Sequence, residues 1–125
     1  MASPTSKAVI YHNTKCSKSN AALNLLLEHD VDVEIINYLE TPLTSSALCV
    51  LLQQLDLDAK QIIRFGEPLA AELAIAIDDI RDENEWLAIL ARHPILIERP
   101  IVVINGKAVV ARPTETILGL LQSAR

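Results

Sequence analysis

One cysteine lies at the junction of two predicted elements, in the stretch YHNTKCSKSN at 11–20. The apolar run AVIYH at 8–12 precedes Cys16 as a candidate strand, and SKSNAALNLLLEH at 17–29 follows it with leucines at helical spacing. The N-terminus of a helix carries unpaired N–H groups and the positive end of the helix dipole, so it favours a thiolate and binds anions. The position of Cys16 therefore predicts a nucleophilic thiol and an oxyanion site at one place.

The neighbours of this cysteine strengthen the prediction. Lys15, Lys18 and His12 are close in sequence and are expected to add positive charge. Cysteines in such surroundings have pKa values of ~3.5–7.5, against ~8.5 for a free thiol. The alternative is an inert residue in the cap region of the helix, with Ser17 or Ser19 as the cap.

The second cysteine, Cys49, has a different setting. It lies in the middle of a predicted helix beside Leu48 and Leu52, where we expect it to pack as a small hydrophobe. A resolving role would require its Cα atom to lie ~4.4–6.8 Å from that of Cys16. Because position 19 is serine, the chain lacks the Cys-x-x-Cys pair of a dithiol oxidoreductase. If Cys16 carries out redox chemistry, we expect its resolving thiol to come from another molecule.

Three arginines of this acidic chain lie at the boundaries of apolar segments. Arg64 ends the run QIIR, Arg99 lies within HPILIERPIVV, and Arg112 follows VVA. The planar donors of a guanidinium suit tetrahedral oxyanions and carboxylates. These three side chains are therefore candidate oxyanion ligands, and the alternative for each is a solvated surface charge.

The elements predicted around these residues form an α/β fold. The strand at 8–12, the helix at 17–29 and the β-branched run VEIINYL at 33–39 compose a right-handed βαβ unit with parallel strands. From about 44 to 92 the pattern predicts helices and no strand, and the first of these helices is capped near Thr44 or Ser45.

Strand character returns near the end of the chain. Two apolar runs at 101–111 flank Asn105-Gly106, which is a strong signal for a β-hairpin. Pro113 then opens a last helix, whose apolar face is expected to contain Ile117, Leu118 and Leu121. The order is strand, helix, strand, helical insertion, hairpin, helix.

Length and composition exclude several classes of protein. A chain of 125 residues predicts one domain over 1–125, and we expect the polar residues 1–7 to be disordered. The net charge of −5 and the 3% aromatic content argue against nucleic acid as a partner. No apolar run approaches the ~20 residues of a membrane span. Without a secretion signal, we expect reduced thiols and a monomer in the cytoplasm.

Four segments together resemble a known family. The segments are YHNTKCSKS, NYLETP at 37–42, HPILIERPIVV at 93–103 and ARPTE at 111–115. Their amino-acid sequences, order and spacing are similar to those of the glutaredoxin-coupled arsenate reductases of the ArsC type, especially the YfgD-type subgroup. The resemblance implies a thioredoxin-like α/β fold, βαβ…ββα, with a four-stranded mixed sheet and an all-helical insertion at about 44–92.

The resemblance also implies roles for individual residues. It assigns catalytic roles to Cys16 and His12, oxyanion binding to Arg64, Arg99 and Arg112, and a structural cis-proline to Pro100. It implies no metal and no bound cofactor, with glutathione as a co-substrate.

The implied activity is reduction of arsenate to arsenite in arsenic detoxification, through a Cys16 thiolate adduct with glutathione and glutaredoxin as reductants. Two alternatives remain. One is a glutathione-linked thiol oxidoreductase with a different substrate, since arginines that hold arsenate can hold another oxyanion. The other is a non-catalytic, Spx-like regulator that binds RNA polymerase, although such proteins typically carry the Cys-x-x-Cys switch that Ser19 removes.

Overall fold

The alternating segment KAVIY forms the strand around which the sheet is built. In the computed structural model, which describes residues 7–123, strand β1 (Lys7–Tyr11) buries Ala8 and Ile10 on one face. Successive side chains of a strand point to opposite faces, so this alternation directs the two apolar residues into the core. Strand β1 starts at Lys7, so the expectation of disorder is wrong for that residue, and for residues 1–6 it lies outside the described part of the chain.

The sheet of the described chain has four strands in the order β2-β1-β3-β4. The three further strands are β2 (Asp32–Ile36), β3 (Ile101–Ile104) and β4 (Lys107–Val110). Strand β1 pairs with β2 in parallel and with β3 antiparallel, and β3 pairs antiparallel with β4. The hairpin turn is at Asn105 and Gly106, both with positive φ, as a two-residue turn of type I′ requires. The predicted mixed sheet is confirmed.

Two helices complete the unit that contains the sheet. They are α1 (Ser17–Glu28) and α5 (Thr116–Ser123). We call this part of the described chain, residues 7–41 and 99–123, the sheet unit. One cluster of buried apolar residues fills it, and all its members come from the strands, these two helices and their flanks: Ala8, Ile10, Ala22, Leu26, Val31, Val102, Ile104, Ala111, Ile117 and Leu120.

The helical unit, Pro42–Glu98, is described separately. It contains α2 (Ser45–Leu55), α3 (Pro68–Glu72) and α4 (Glu83–Arg92), with 3₁₀ turns at Ala59–Ile62 and Pro94–Leu96. The Thr44 side chain accepts a hydrogen bond from the N–H of Ala47, so the predicted cap is at Thr44. Asp82 and Glu85 form a capping box at the start of α4.

The helical insertion is longer than predicted and contains one backbone bridge that was not predicted. It reaches Glu98 instead of ending at about residue 92, and an isolated antiparallel bridge joins Ile63 to Ile97.

The predicted second strand, 33–39, ends at Ile36, because the N–H groups of Glu40 and Thr41 turn back to the carbonyl of Asn37. The single-domain prediction stays a prediction. No helix within residues 7–123 has the length and apolarity needed to cross a bilayer.

Candidate active site

Cys16 occupies the cap position of helix α1, directly before Ser17. Its backbone is extended, with φ −101° and ψ 120°, and its side chain is buried, with 9% exposed. Within the described chain, the N–H groups of residues 17–19 donate to no backbone carbonyl. The first backbone bond across the cap runs from Asn20 N–H to the Cys16 carbonyl, at 3.1 Å. The thiol therefore lies where a helix has free donors and the positive end of its dipole.

The pKa of the Cys16 thiol is lowered, although burial acts in the opposite direction. Burial raises the pKa, and three neighbours outweigh it: the backbone N–H of Ser19, the side chain of Arg99 and the backbone N–H of Lys18. The Arg99 charge lowers the pKa further. The side chains of Lys15 and Lys18 are exposed, so the expected lysine cations are replaced by one arginine from a distant segment.

The sheet register explains why Arg99 reaches the cysteine. Because β1 and β3 are antiparallel and Tyr11 pairs with Ile101, the start of β3 lies beside the end of β1, where the chain turns toward Cys16. Arg99 immediately precedes this point, and its peptide bond to Pro100 is cis. The Nε atom of Arg99 is buried and has no hydrogen-bond partner in the described chain. This N–H is a donor that an oxyanion would satisfy.

Arg112 is attached to the backbone of the same segment. Its Nε–H donates to the Arg99 carbonyl at 2.7 Å, and the N–H of Ala111 donates to the Pro100 carbonyl at 2.8 Å. The Arg112 side chain is otherwise exposed, and its own peptide bond to Pro113 is also cis. These bonds join the ends of β3 and β4 and hold two of the predicted arginines next to each other.

His12 is buried at the end of β1. Its backbone N–H donates to the Ile36 carbonyl at 2.8 Å, and its Nδ1 lies 2.6 Å from Ser19 Oγ. Burial lowers the pKa of the imidazole, so the ring is neutral at neutral pH. The positive charge expected from His12 is therefore absent, and the ring contributes hydrogen bonds instead.

Arg64 belongs to the helical unit, where two carboxylates surround it. Its Nη1 lies 2.9 Å from a Glu67 oxygen, and its Nε lies 3.7 Å from a Glu98 oxygen. Its backbone N–H donates to the Leu96 carbonyl at 2.7 Å. The sheet unit thus brings together the other predicted residues (Cys16, His12, Arg99, Arg112 and Pro100), while the assignment of Arg64 stays a prediction.

The expectation that Cys49 packs in the core is wrong, because its side chain is exposed. The buried stripe of α2 consists of Leu48, Leu51, Leu52 and Leu55, at helical spacing. A residue one position after Leu48 is turned ~100° away from that stripe. The spacing of the leucines was the signal that could have placed Cys49 outside. It borders a cavity of about 360 Å³ with acidic neighbours that include Asp56 and Glu83.

A cleft of about 220 Å³ borders the loop before Cys16. Its lining contains His12, Lys15 and Glu40, together with the amide side chains of Asn13 and Asn37. This places one imidazole, one cation and one anion around the same space. Among the described residues, no group of three or more His, Cys, Asp or Glu side chains could hold a metal ion.

The lowered thiol pKa predicts a measurable alkylation profile. In a Cys49→Ser background, the rate of iodoacetamide alkylation should rise with an inflection below the ~8.5 of an ordinary thiol. Replacing Arg99 by methionine should move this inflection upward, because the variant loses both a hydrogen bond and a charge. Arg92→Met, on the exposed side of α4, is the matched control and should leave it unchanged. An inflection at or above 8.5 in the parent would contradict the electrostatic argument.

Comparison with known proteins decides the family. A model of the ArsC family matches residues 11–120. The chain belongs to the ArsC family. It is 42% identical to the uncharacterized protein YfgD of Escherichia coli K12 over 118 residues, which cover 94% of this chain and 98% of YfgD.

Other relatives of the chain are named arsenate reductases. The chain is 42% identical to an arsenate reductase of Neisseria meningitidis serogroup B over 113 residues, which cover 90% of this chain and 96% of that protein. It also resembles the solved structure of the arsenate reductase from Vibrio cholerae, with a TM-score of 0.87 at 42% identity and coverage of 92% and 98% of the two chains. The predicted family and the thioredoxin-like α/β fold class are both confirmed.

Proposed function

We propose that this ArsC-family chain is an arsenate reductase, which reduces arsenate to arsenite through a covalent adduct on Cys16. The observation that carries the proposal is the place of Arg99 in the site: its guanidinium helps to lower the pKa of the Cys16 thiol, and its buried Nε–H has no partner in the described chain. Relatives at 42% identity that are named arsenate reductases support the same substrate.

The oxyanion is held by donors around the thiol. The N–H groups of the first turn of α1 and the guanidinium of Arg99 offset its negative charge. Arg112 is fixed beside Arg99 by its bond to the Arg99 carbonyl, so its remaining donors add to the same positive surface. A third ligand, Arg64, is part of the proposal on the strength of the family resemblance.

The first chemical step forms a sulfur–arsenic bond. The Cys16 thiolate attacks As(V), one As–O bond breaks, and the departing oxygen takes up a proton and leaves as water. A glutathione thiolate then attacks the Cys16 sulfur. The S–As bond breaks, its electron pair remains on arsenic, and As(V) becomes As(III) as the mixed disulfide forms. Glutaredoxin releases Cys16 by thiol–disulfide exchange.

The external reductant follows from the surroundings of Cys16. Ser19 occupies the place of a second thiol in a Cys-x-x-Cys motif, and its backbone N–H faces the Cys16 sulfur. The chain's other cysteine, Cys49, is exposed in the helical unit. The proposal therefore gives it no part in catalysis, and two electrons come from glutathione and Cys16 together.

The test is arsenate-dependent oxidation of NADPH, followed in the presence of glutathione, glutaredoxin and glutathione reductase. We expect turnover with arsenate that falls to background when either arsenate or glutathione is omitted. Omission of glutaredoxin should slow the multiple-turnover rate and leave the first turnover intact, because it acts after arsenite has formed. Phosphate, a tetrahedral oxyanion without an accessible two-electron reduction, should compete with arsenate and support no oxidation.

Two other results would replace the proposal. An inactive protein whose Cys16 nevertheless alkylates with a depressed pKa would indicate a thiol oxidoreductase for a different substrate. An inactive protein with an ordinary thiol and measurable binding to RNA polymerase would indicate a regulator. Turnover that continues unchanged without glutathione would contradict the assignment of the reductant.

A further inference from the structure

Ser19 makes three contacts that converge on the site, although its side chain is fully buried in the first turn of α1. Its backbone N–H faces the Cys16 sulfur. Its Oγ accepts a hydrogen bond from the N–H of Asn13 at 3.1 Å. The same oxygen lies 2.6 Å from His12 Nδ1. One small residue thus joins the nucleophile, the loop before it and the imidazole.

The position of the hydroxyl hydrogen follows from the burial of Ser19, which is 0% exposed. If His12 carried its proton on Nδ1 and donated to Oγ, the hydroxyl would need a different acceptor. The described chain offers none, since Ser19 Oγ has only the Asn13 and His12 contacts. A buried O–H without an acceptor destabilises the folded state. The hydroxyl therefore donates to Nδ1, and Nδ1 is the unprotonated nitrogen.

We infer that Ser19 is a positioning residue that holds His12 as the neutral imidazole with its proton on Nε2. Burial of the ring lowers the imidazole pKa and favours the same neutral form. In that state every polar atom of Ser19 has a partner, and the ring is left with one donor, Nε2–H. Serine at this position is thus more than the absence of a second cysteine.

The role of the remaining donor, His12 Nε2–H, can be inferred from its surroundings. The bond to Ser19 uses Nδ1 of the ring, and His12 lines the cleft beside the Cys16 loop. A neutral imidazole is a hydrogen-bond donor and not a proton donor at this pH, and such rings polarise oxygens of bound substrates. We assign to Nε2–H a hydrogen bond to an oxygen of the bound oxyanion or reductant, and this step rests on the proposed function.

The first experiment reads the tautomer in the free protein and requires no substrate. Histidine labelled with ¹⁵N, in a long-range proton–nitrogen correlation spectrum, should show His12 as the Nε2–H form at neutral pH, with the signal assigned by its loss in His12→Gln. Ser19→Ala should convert it to a mixture of tautomers, and Ser19→Thr, which keeps the hydroxyl, should restore the single form. A protonated His12 or an Nδ1–H form in the wild type would overturn the inference, and so would an unchanged tautomer in a folded Ser19→Ala variant.

The second experiment uses two replacements that each copy one ring nitrogen. The amide of glutamine places an N–H₂ near Nε2, whereas that of asparagine reaches only the position of Nδ1. His12→Gln should keep about 10-fold more arsenate reduction than His12→Asn, as loss of one hydrogen bond predicts. Equal activities would overturn the role of Nε2–H. If the wild type reduced no arsenate, the proposed function would fail, and the spectra would still decide the assignment of Ser19.

Discussion

Replacing Cys16 by serine is expected to abolish arsenate-dependent turnover, with a loss of at least ~10³-fold in kcat. The serine hydroxyl is not ionised at neutral pH, so the first-turn N–H groups and Arg99 have no thiolate to stabilise, and no disulfide can form at this position. The measurement is NADPH oxidation in the coupled assay with glutathione and glutaredoxin. Mass spectrometry should also show that the glutathione adduct of the wild type is missing in this variant.

Cys49→Ser is the matched control for that substitution. It makes the same chemical change at the exposed thiol of α2, and its turnover should stay within about 2-fold of wild type because exposed substitutions have small effects. Full activity in Cys16→Ser would contradict the proposed mechanism. Loss of activity in a folded Cys49→Ser would instead reveal a resolving role for the second cysteine.

Arg99→Ala should give the next largest effect, a fall in kcat/KM of ~10²–10³-fold. The substitution removes the hydrogen bond and charge that lower the Cys16 pKa, and it also removes the buried Nε–H proposed to bind the oxyanion. Arg99→Lys keeps the charge and loses the planar set of donors, so we expect it to recover only part of the activity. Steady-state kinetics at several pH values separate the two losses, since higher pH restores the thiolate and leaves the oxyanion contact missing.

The control for Arg99 is Arg92→Ala, which removes an exposed arginine near the end of α4. It should leave kcat/KM unchanged. An Arg99→Ala variant that is folded and within about 3-fold of wild type would contradict both roles, because a contact to a charged group is worth ~1.5–3 kcal/mol. Recovery of full activity at high pH would restrict Arg99 to the activation of the thiol.

The local parts of the fold were predictable because their signals are local. Asn105-Gly106 marks the hairpin, and the apolar run AVIYH marks the first strand, which the structure places one residue earlier. The end of β2 was placed too late, since the turn after Ile36 depends on hydrogen bonds to the Asn37 carbonyl and not on residue type. The bridge from Ile63 to Ile97 joins residues far apart in sequence, and periodicity carries no information on such pairs.

The candidate site likewise has features that the sequence predicts and features that it does not. Cys16 was predictable, because a strand followed by a helix fixes its surroundings. The identity of its cation was not, since the nearby Lys15 side chain is exposed and Arg99 arrives through the antiparallel register of β1 and β3. The pairing of His12 with Ser19 was also missed. It depends on the path of the loop between them and on burial, which together make the imidazole a neutral group.

The pairing of β1 with β3 also determines when, relative to synthesis, Cys16 gains its arginine neighbour. Strand β3 follows the helical unit, so Arg99 leaves the ribosome long after Cys16 has done so. At ~5–20 residues per second, the nascent chain spends several seconds with Cys16 and without its arginine. During that interval the cysteine lacks the guanidinium that helps to lower its pKa. The contribution of Arg99 to lowering the Cys16 pKa therefore arises only when β3 joins the sheet.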